Sequence, residues 1–490
     1  MFLMRECWPF SWYPVYSTLA QSELVVYRMV SITRDPGGAA SESVVLSQRY
    51  VPGYTETFMR NSLRRTFGWG TEPEMRRAAD VVRDYFDQYE SRRKTGQHDG
   101  PPIASIELRR LTFDSEAGDA ETPRKSESLL AVDADGTVRM LVPPAPKPPK
   151  PKRDWGRPIG FVGLAIVLGI VAYALRPKRY ATFLFEPRNA EWLGFCRLLF
   201  FALMVLFYWN VDLASVAHRA ESAYLPTGLF YYLGVPAPEP GRMRGMEFVW
   251  LFSLALASAG LFTRTATIVA FSFGIYLLGM QHQWGKQGHG DAMLIFVMLI
   301  FAVSRAGDGL SLDALIRRRR GVPPPPVTSA EYTWPIKVIW ITMAVAVGAS
   351  GVAKLRVSGL DWALSDNLSN VIRQHFVGNY SNPFVPRSFG LWVADHGWMT
   401  KLAALGSLFV ETLFPLALLG VWWRRLVVPA MLFLQVNIAV LMGVVFSQFL
   451  LVYAMWVNWP WIADRTGLRR LWWSSSPPRG FPVESPVRSP

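Results

Sequence analysis

The stretch TATIVAFSFGIYLLGMQHQWGKQGHGDAMLIFVMLIFAV, residues 265–303, decides the class of fold. Its two ends are almost wholly apolar, and the turn between them carries His282, Lys286, His289 and Asp291. Apolar segments of about 17–25 residues are what a bilayer crossing requires. Ionisable side chains beside such a segment are costly and usually have a function. The stretch therefore predicts two membrane helices joined by a candidate functional turn.

Comparable apolar segments recur through residues 159–463, which we interpret as a transmembrane helical domain. Nine candidate spans can be drawn, at residues 159–175, 192–210, 247–263, 265–282, 291–304, 335–353, 400–421, 427–444 and 446–463. The predicted fold is an all-α polytopic membrane protein of about eight to nine transmembrane helices, preceded by a small soluble N-terminal α+β domain.

The N-terminal domain is predicted to cover residues 1–142. Residues 24–32 and 103–113 have the apolar and β-branched character of strands, and residues 74–93 repeat apolar side chains at helical spacing. The sequence Asp133-Ala-Asp-Gly136 between apolar segments indicates a hairpin. Residues 143–158 form a linker rich in proline and lysine, and the tail 464–490 is predicted to be disordered.

The formal net charge of +14 reflects membrane orientation better than nucleic-acid binding. No zinc, helix-turn-helix or RNA-binding signature accompanies it. The basic residues instead cluster beside apolar segments, at residues 176–179, 317–320, 424–425 and 469–470. Such clusters favour the cytoplasmic side of a membrane. The two cysteines, Cys7 and Cys196, do not suggest a disulfide framework.

With the arginine-rich loops on the cytoplasmic side, the loops 211–246, 283–290 and 354–399 fall on the opposite side. The first apolar segment, 159–175, does not fit this pattern easily. Either it crosses and the N-terminal domain is outside, or it does not cross. The sequence leaves both possibilities open.

Several phrases occur in an order that resembles one family. They are Trp192-Leu-Gly-Phe-Cys-Arg-Leu-Leu-Phe200, Ala223-Tyr-Leu-Pro-Thr-Gly-Leu229, Gly260-Leu-Phe-Thr-Arg264, Gly288-His-Gly-Asp-Ala-Met-Leu294, Gly351-Val-Ala-Lys-Leu-Arg356 and Val410-Glu-Thr-Leu-Phe-Pro415. Together they resemble the horizontally transferred transmembrane (HTTM) domain of vitamin K-dependent γ-carboxylase relatives, over residues 185–460.

The resemblance implies a membrane enzyme acting on a lipid-soluble, vitamin K-type quinol. In the carboxylases a lysine just before the matching helix deprotonates the hydroquinone, and Lys286 lies near that position. It thereby implies Lys286 as the base, with His289 and His282 as partners that handle the proton. The soluble region here precedes the membrane domain, whereas in the carboxylases it follows. This difference argues against carboxylation of a protein substrate.

Four further charged residues are candidates for substrate binding: Arg197, Asp291, Lys354 and Glu411. Arg197 lies one turn inside a span, where an arginine needs an anionic partner. We favour a structural brace between Arg197 and Glu411, with a shared ligand site as the alternative. Asp291 is also suited to cap the helix that follows it, because its negative charge favours a helix N-terminus.

Simpler interpretations of the turn stay open. Lys286 has the position of an ordinary interfacial lysine whose stem lies in the membrane and whose amine reaches water. The spacing of His282, His289 and Asp291 matches no standard metal site, so no metal is predicted.

The alternative function is a non-catalytic membrane scaffold or a transporter-like protein. The absence of an internal sequence repeat weakens the transporter version. Membrane lipids are the expected partners and nucleic acid is not. The resemblance implies a multi-pass protein of a bacterial inner membrane.

Overall fold

The computed structural model describes residues 23–34, 40–44, 50–54, 70–114, 122–146, 177–284, 290–377 and 386–467, with Phe58, Leu63 and Phe67. The described chain has two parts, an N-terminal sheet region and a helical bundle. Linker residues 143–146 are described, and Ala145 donates its N–H to the carbonyl of Gly70 at 2.8 Å. The rest of the linker and the tail beyond residue 467 lie outside the described residues.

The sheet region is an antiparallel sheet with strand order β2-β1-β3-β4-β5. Its strands are β1 (Glu23–Arg34), β2 (Ala40–Val44), β3 (Ile103–Asp114), β4 (Lys125–Asp133) and β5 (Val138–Met140). The predicted hairpin is confirmed, because Gly136, at φ 82°, donates its N–H to the carbonyl of Asp133 at 2.9 Å between β4 and β5. Only glycine adopts this left-handed conformation without steric cost.

Helix α1 (Glu72–Lys94) covers the sheet. Its N-cap is Thr71, whose backbone N–H and hydroxyl both donate to the Glu74 carboxylate in a capping box. Its apolar face, including Val82 and Tyr85, is buried in the core. The apolar residues repeated at helical spacing in residues 74–93 therefore form the buried face of α1.

The bundle is built from the following helices and short strands. They are α2 (Pro177–Phe185), β6 (Arg188–Asn189), α3 (Ala190–Tyr208), α4 (Leu229–Tyr232), α5 (Pro240–Ala259), α6 (Thr263–Gln283), α7 (Gly290–Val303), α8 (Leu312–Arg319), β7 (Thr328–Ser329), α9 (Trp334–Ser358), α10 (Asp361–Leu364), α11 (Asn367–Val377), α12 (Arg387–Asp395), α13 (Gly397–Leu413), α14 (Val421–Met442), α15 (Ser447–Tyr453) and α16 (Trp459–Thr466). Helix α16 thus ends three residues beyond the predicted domain limit at 463.

Among the described residues, five helical segments are long and apolar enough to cross a membrane. They are Ala190–Tyr208, Thr263–Gln283, Ala330–Ser358, Gly397–Leu418 and Val421–Met442. Helix α7 is apolar but has only 14 residues, and the predicted span 446–463 is divided between α15, a 3-10 turn and α16. The predicted span 159–175 lies outside the described residues. The chain is a membrane protein by these helices, although five is fewer than the eight or nine expected.

The sheet region docks on the loop that follows α3. The backbone N–H of Ala220 donates to the Tyr54 hydroxyl at 3.2 Å, and that hydroxyl donates in turn to Asp84 on α1. Burial raises the pKa of Tyr54 well above its usual value, so the phenol stays protonated and can donate. Gln88 on α1 also donates to the carbonyl of His218 at 2.8 Å.

Arg219 is the charged residue of this contact. Its guanidinium donates to the carbonyl of Gly53 at 2.9 Å and lies 4.5 Å from the centre of the Phe58 ring. Burial lowers the pKa of Arg219 to about 9. The carbonyl and the aromatic face offset part of the cost of burying this cation. The docked sheet and the loop consequently share one core.

This docking indicates the side of the membrane on which the sheet region lies. The docking loop follows the C-terminal end of α3, whereas β6, at its N-terminal end, pairs with β7 beside the arginine-rich α8. The sheet region and the arginine-rich loops therefore lie at opposite ends of α3. Since arginine-rich loops favour the cytoplasm, the sheet region is expected outside. The described segments that precede residue 147 and follow residue 176 lie at these opposite ends.

Cysteine labelling tests this arrangement in a Cys7→Ser background, in which Cys196 stays buried. A membrane-impermeant maleimide is expected to label Gln97→Cys, just after α1, on intact cells. It should label Arg319→Cys, at the end of α8, only after the membrane is permeabilised. Both positions are exposed. Labelling of the two positions from the same side would contradict the topology.

Candidate functional site

A buried polar cluster lies where α6 ends and α7 begins. The Asp291 side chain, in the first turn of α7, is fully buried. Its Oδ2 lies 3.4 Å from Nε2 of His282, near the end of α6. Its Oδ1 accepts hydrogen bonds from the Tyr208 hydroxyl at 3.3 Å and from Nε2 of Gln448 at 3.2 Å. We call these four residues the Asp291 cluster.

Four helices converge to form the Asp291 cluster. Tyr208 is the last residue of α3 and Gln448 the second residue of α15. Gly290 allows α15 to approach α7 closely, because a Cβ atom at this position would lie 2.8 Å from Cβ of Gln448. The ring of Tyr208 is fixed by edge-to-face contact with Trp250, at 5.0 Å between centroids.

The environment stabilises the Asp291 carboxylate. Its two oxygens interact with side chains from three other helices, and a buried carboxylate is tolerated only with such partners. Its place in the first turn of α7 also gives it the favourable end of the helix dipole. Asp291 therefore lies inside the first turn, where its charge interacts favourably with the helix dipole as predicted. The same carboxylate also contacts side chains of three other helices. His282, with only 7% of its surface exposed, is held beside it.

Lys286 and His289, the predicted base and one of its partners, lie outside the described residues. The described ends of their turn are firmly held. Trp284 donates its indole N–H to the carbonyl of Ala220 at 3.1 Å. The side-chain oxygen of Gln283 accepts the N–H of Thr227 at 2.8 Å. The end of α6 that precedes this turn is therefore anchored on the same loop that carries the sheet region.

A second polar cluster joins α9 and α13. Nζ of Lys354 lies 2.6 and 2.5 Å from the two carboxylate oxygens of Glu411, and each residue has only 5% of its surface exposed. Ser407 donates to Oε1 of the same carboxylate at 3.1 Å. Nζ of Lys354 also lies 4.5 Å from the Trp362 ring centre. Gly351 permits this close contact, since a Cβ atom there would lie 2.6 Å from the backbone nitrogen of Thr412.

The predicted brace between Arg197 and Glu411 is wrong. The fully buried Arg197 donates to backbone carbonyls, at 2.7 Å to Leu310 and 3.4 Å to Ala306 and Ser258. Ser258 lies in the last turn of α5, where carbonyl oxygens carry the negative end of the helix dipole. Arg197 is thus stabilised by peptide dipoles, and Glu411 is already paired with a lysine.

Sequence reasoning missed Tyr208 and Gln448. They lie 83 and 157 residues from Asp291 in the chain. Each also has an ordinary appearance at the end of an apolar segment, where tyrosine and glutamine are common. The signal that could have found them is the Asp291 carboxylate itself. A carboxylate within a helical bundle needs hydrogen-bond donors, so donors from distant parts of the chain are to be expected.

Comparison with protein-family models, curated proteins and solved structures gives no match. Within the described ranges, no group of three or more histidine, cysteine and acidic residues could hold a metal ion. The fold and the site therefore define a class only: a multi-pass helical membrane protein with an N-terminal sheet region and a buried histidine–carboxylate pair.

Removal of one partner of the Lys354–Glu411 pair should destabilise the protein by about 3–5 kcal/mol, because the remaining charge is buried alone. Lys354→Met and Glu411→Leu test this separately by thermal unfolding in detergent. The double variant is expected to recover most of the loss. Glu239→Gln, which breaks an exposed pair with Arg242, serves as control and should cost about 0–1 kcal/mol. A double variant no better than the worse single variant would contradict the pairing.

Proposed function

We propose that this protein is a membrane enzyme that transfers a proton to or from a lipid-soluble substrate at the Asp291 cluster. The observation that carries the proposal is the contact between Asp291 and His282, both buried, at the described end of the turn 285–289. Buried ionisable groups within a helical bundle are costly to fold and are commonly retained for function.

The chemistry follows from the two partners. Histidine is the side chain used most often in general acid–base catalysis, because a nitrogen of the neutral imidazole accepts a proton. A carboxylate at one ring nitrogen fixes the orientation of the ring and stabilises the imidazolium that forms, as in hydrolase triads. In this proposal His282 is the proton acceptor, Asp291 orients it, and Tyr208 and Gln448 hold Asp291 in place.

For the substrate we propose a quinol of the vitamin K type, on the basis of the HTTM resemblance. Lys286 then acts as the base that deprotonates the hydroquinone, and His289 and His282 carry the proton away. We assign structural roles to Arg197, Lys354 and Glu411 rather than substrate contacts, because each already has close partners within the bundle.

We further propose that α5, α7 and the α15–α16 segment cross the membrane with the five long spans, and that residues 159–175 add one more crossing. This arrangement restores the nine spans expected from the sequence. The basic loops and the HTTM resemblance favour a bacterial inner membrane, with the sheet region on its outer side.

A non-catalytic scaffold is the second candidate, and the docked sheet region favours it. The contacts of Tyr54 and Arg219 attach a soluble surface firmly to the membrane domain, which suits the presentation of a protein-binding surface. A scaffold would retain its partner when His282 is replaced, whereas an enzyme would lose its turnover.

The test is vitamin K hydroquinone epoxidation by detergent-purified protein in the presence of oxygen. Wild type should form epoxide, and Lys286→Ala, His282→Gln and Asp291→Asn should each lower the rate by about 10²–10⁴-fold, the usual range for a general acid or base. His396→Gln is the matched control, since that histidine is half-buried outside the Asp291 cluster and its Nδ1 bonds only the Trp392 carbonyl of the preceding helix α12 among the hydrogen bonds of the described residues.

If folded wild-type protein forms no epoxide, quinol oxygenation is excluded as the function. Equal rates for wild type and the three variants would show that these residues do not form the catalytic site. Gel filtration and circular dichroism of each variant separate loss of chemistry from loss of fold.

A further inference from the structure

Two cations lie on one aromatic ring near the start of α9, at the arginine-rich end of the bundle. Nζ of Lys337, in the first turn of α9, lies 4.1 Å from the centre of the Trp340 ring and 4.6 Å from that of Phe183 on α2. The guanidinium carbon of Arg424, in the first turn of α14, lies 4.2 Å from the centre of the same Trp340 ring. We call Lys337, Arg424 and Trp340 the Trp340 cluster.

The cations of the Trp340 cluster have no carboxylate partner among the described residues. Lys337 has only 8% of its surface exposed. Nε of Arg424 is buried and has no hydrogen-bond partner within the part of the chain that the structure describes. Aromatic faces attract cations, but this attraction is weak beside the cost of burying two like charges together. The cluster therefore lacks an anion.

The nearest other charges do not supply that anion. Lys337 is acted on by Arg424, Arg188 and Glu186, and Glu186 is already bound to Arg188 at 2.7 Å. Lys337, Arg424 and Arg188 outnumber the one carboxylate, so the local charge is positive. The start of α14 adds its N–H groups and the positive end of its dipole.

The apolar surface around the Trp340 cluster favours a lipid as the source of the anion. Beside Arg424, large apolar side chains are exposed on the bundle surface, including Trp422 at 81% and Leu426 at 63%. Tryptophan at a helix end is typical of the headgroup level of a bilayer. A ligand there can place a phosphate on the cations and its acyl chains along the apolar surface, which free phosphate cannot do.

We propose that Lys337 and Arg424 bind the phosphate of an anionic phospholipid headgroup on the arginine-rich side of the membrane. Arg424 offers a planar fork of donors for two phosphate oxygens, and Lys337 supplies a point charge. Trp340, whose ring stacks on Trp456 at 4.9 Å between centroids, fixes the position of both cations. Basic sites between helices on the cytoplasmic side are suited to anionic headgroups.

Native mass spectrometry of the full-length protein tests the site, with phosphatidylglycerol, phosphatidylcholine and inorganic phosphate as separate probes. Wild type should retain phosphatidylglycerol in preference to phosphatidylcholine. Arg424→Gln should weaken retention of phosphatidylglycerol about tenfold, the effect of losing a charge-assisted hydrogen bond, and Lys337→Gln/Arg424→Gln more strongly. Arg425→Gln is the matched control, because Arg425 is the exposed neighbour that lies 5.7 Å from the Trp422 ring centre instead.

Four results would overturn the proposal. They are equal retention by wild type and Arg424→Gln, equal loss in Arg425→Gln, no preference for phosphatidylglycerol over phosphatidylcholine, and binding of inorganic phosphate with no retained lipid. The last result would assign the site to a free anion. If the double variant fails to fold, the single variant Arg424→Gln decides the outcome, since its side chain is only half-buried.

Discussion

The Asp291 carboxylate joins parts of the chain that have little else in common. It lies at the start of α7 and binds the end of α3, the end of α6 and the start of α15. A charge placed this deeply is tolerated only when each oxygen has a partner. The ends of α3 and α6 and the starts of α7 and α15 must therefore keep their positions relative to one another.

The bundle meets the cost of buried charge in three different ways. Lys354 and Glu411 neutralise each other across two helices. Arg197 uses backbone carbonyls at the end of a helix and in the following loop. Lys337 and Arg424 rest on an aromatic ring and keep a surplus of positive charge. The first arrangement neutralises the charge within the protein and the second surrounds it with backbone carbonyls. The third leaves two cations on one ring, and we propose an external anion there.

Local pattern predicted the elements of the fold better than their partners. The strands at β1 and β3, the helix α1 and the Asp133–Gly136 hairpin all follow from residue spacing and turn chemistry. Partner choice depends on which helices are neighbours and how closely they approach, which Gly351 and Gly290 control through the side chains they lack. The predicted brace between Arg197 and Glu411 is wrong for this reason. Both side chains are buried in the bundle as predicted, but the two residues are not partners of each other.

The peptide units at Ala220 have a consequence for communication between the two parts of the protein. The N–H of this residue binds the Tyr54 hydroxyl of the sheet region, and its carbonyl binds the indole of Trp284 at the edge of the candidate site. A displacement of the sheet region is thus transmitted to the end of α6 through Ala220, and also through Arg219, which donates to Gly53 and Gln281. The sheet region and the end of α6 that borders the candidate site are therefore joined by hydrogen bonds to the same loop residue, and a shift of one part strains its contact with the other.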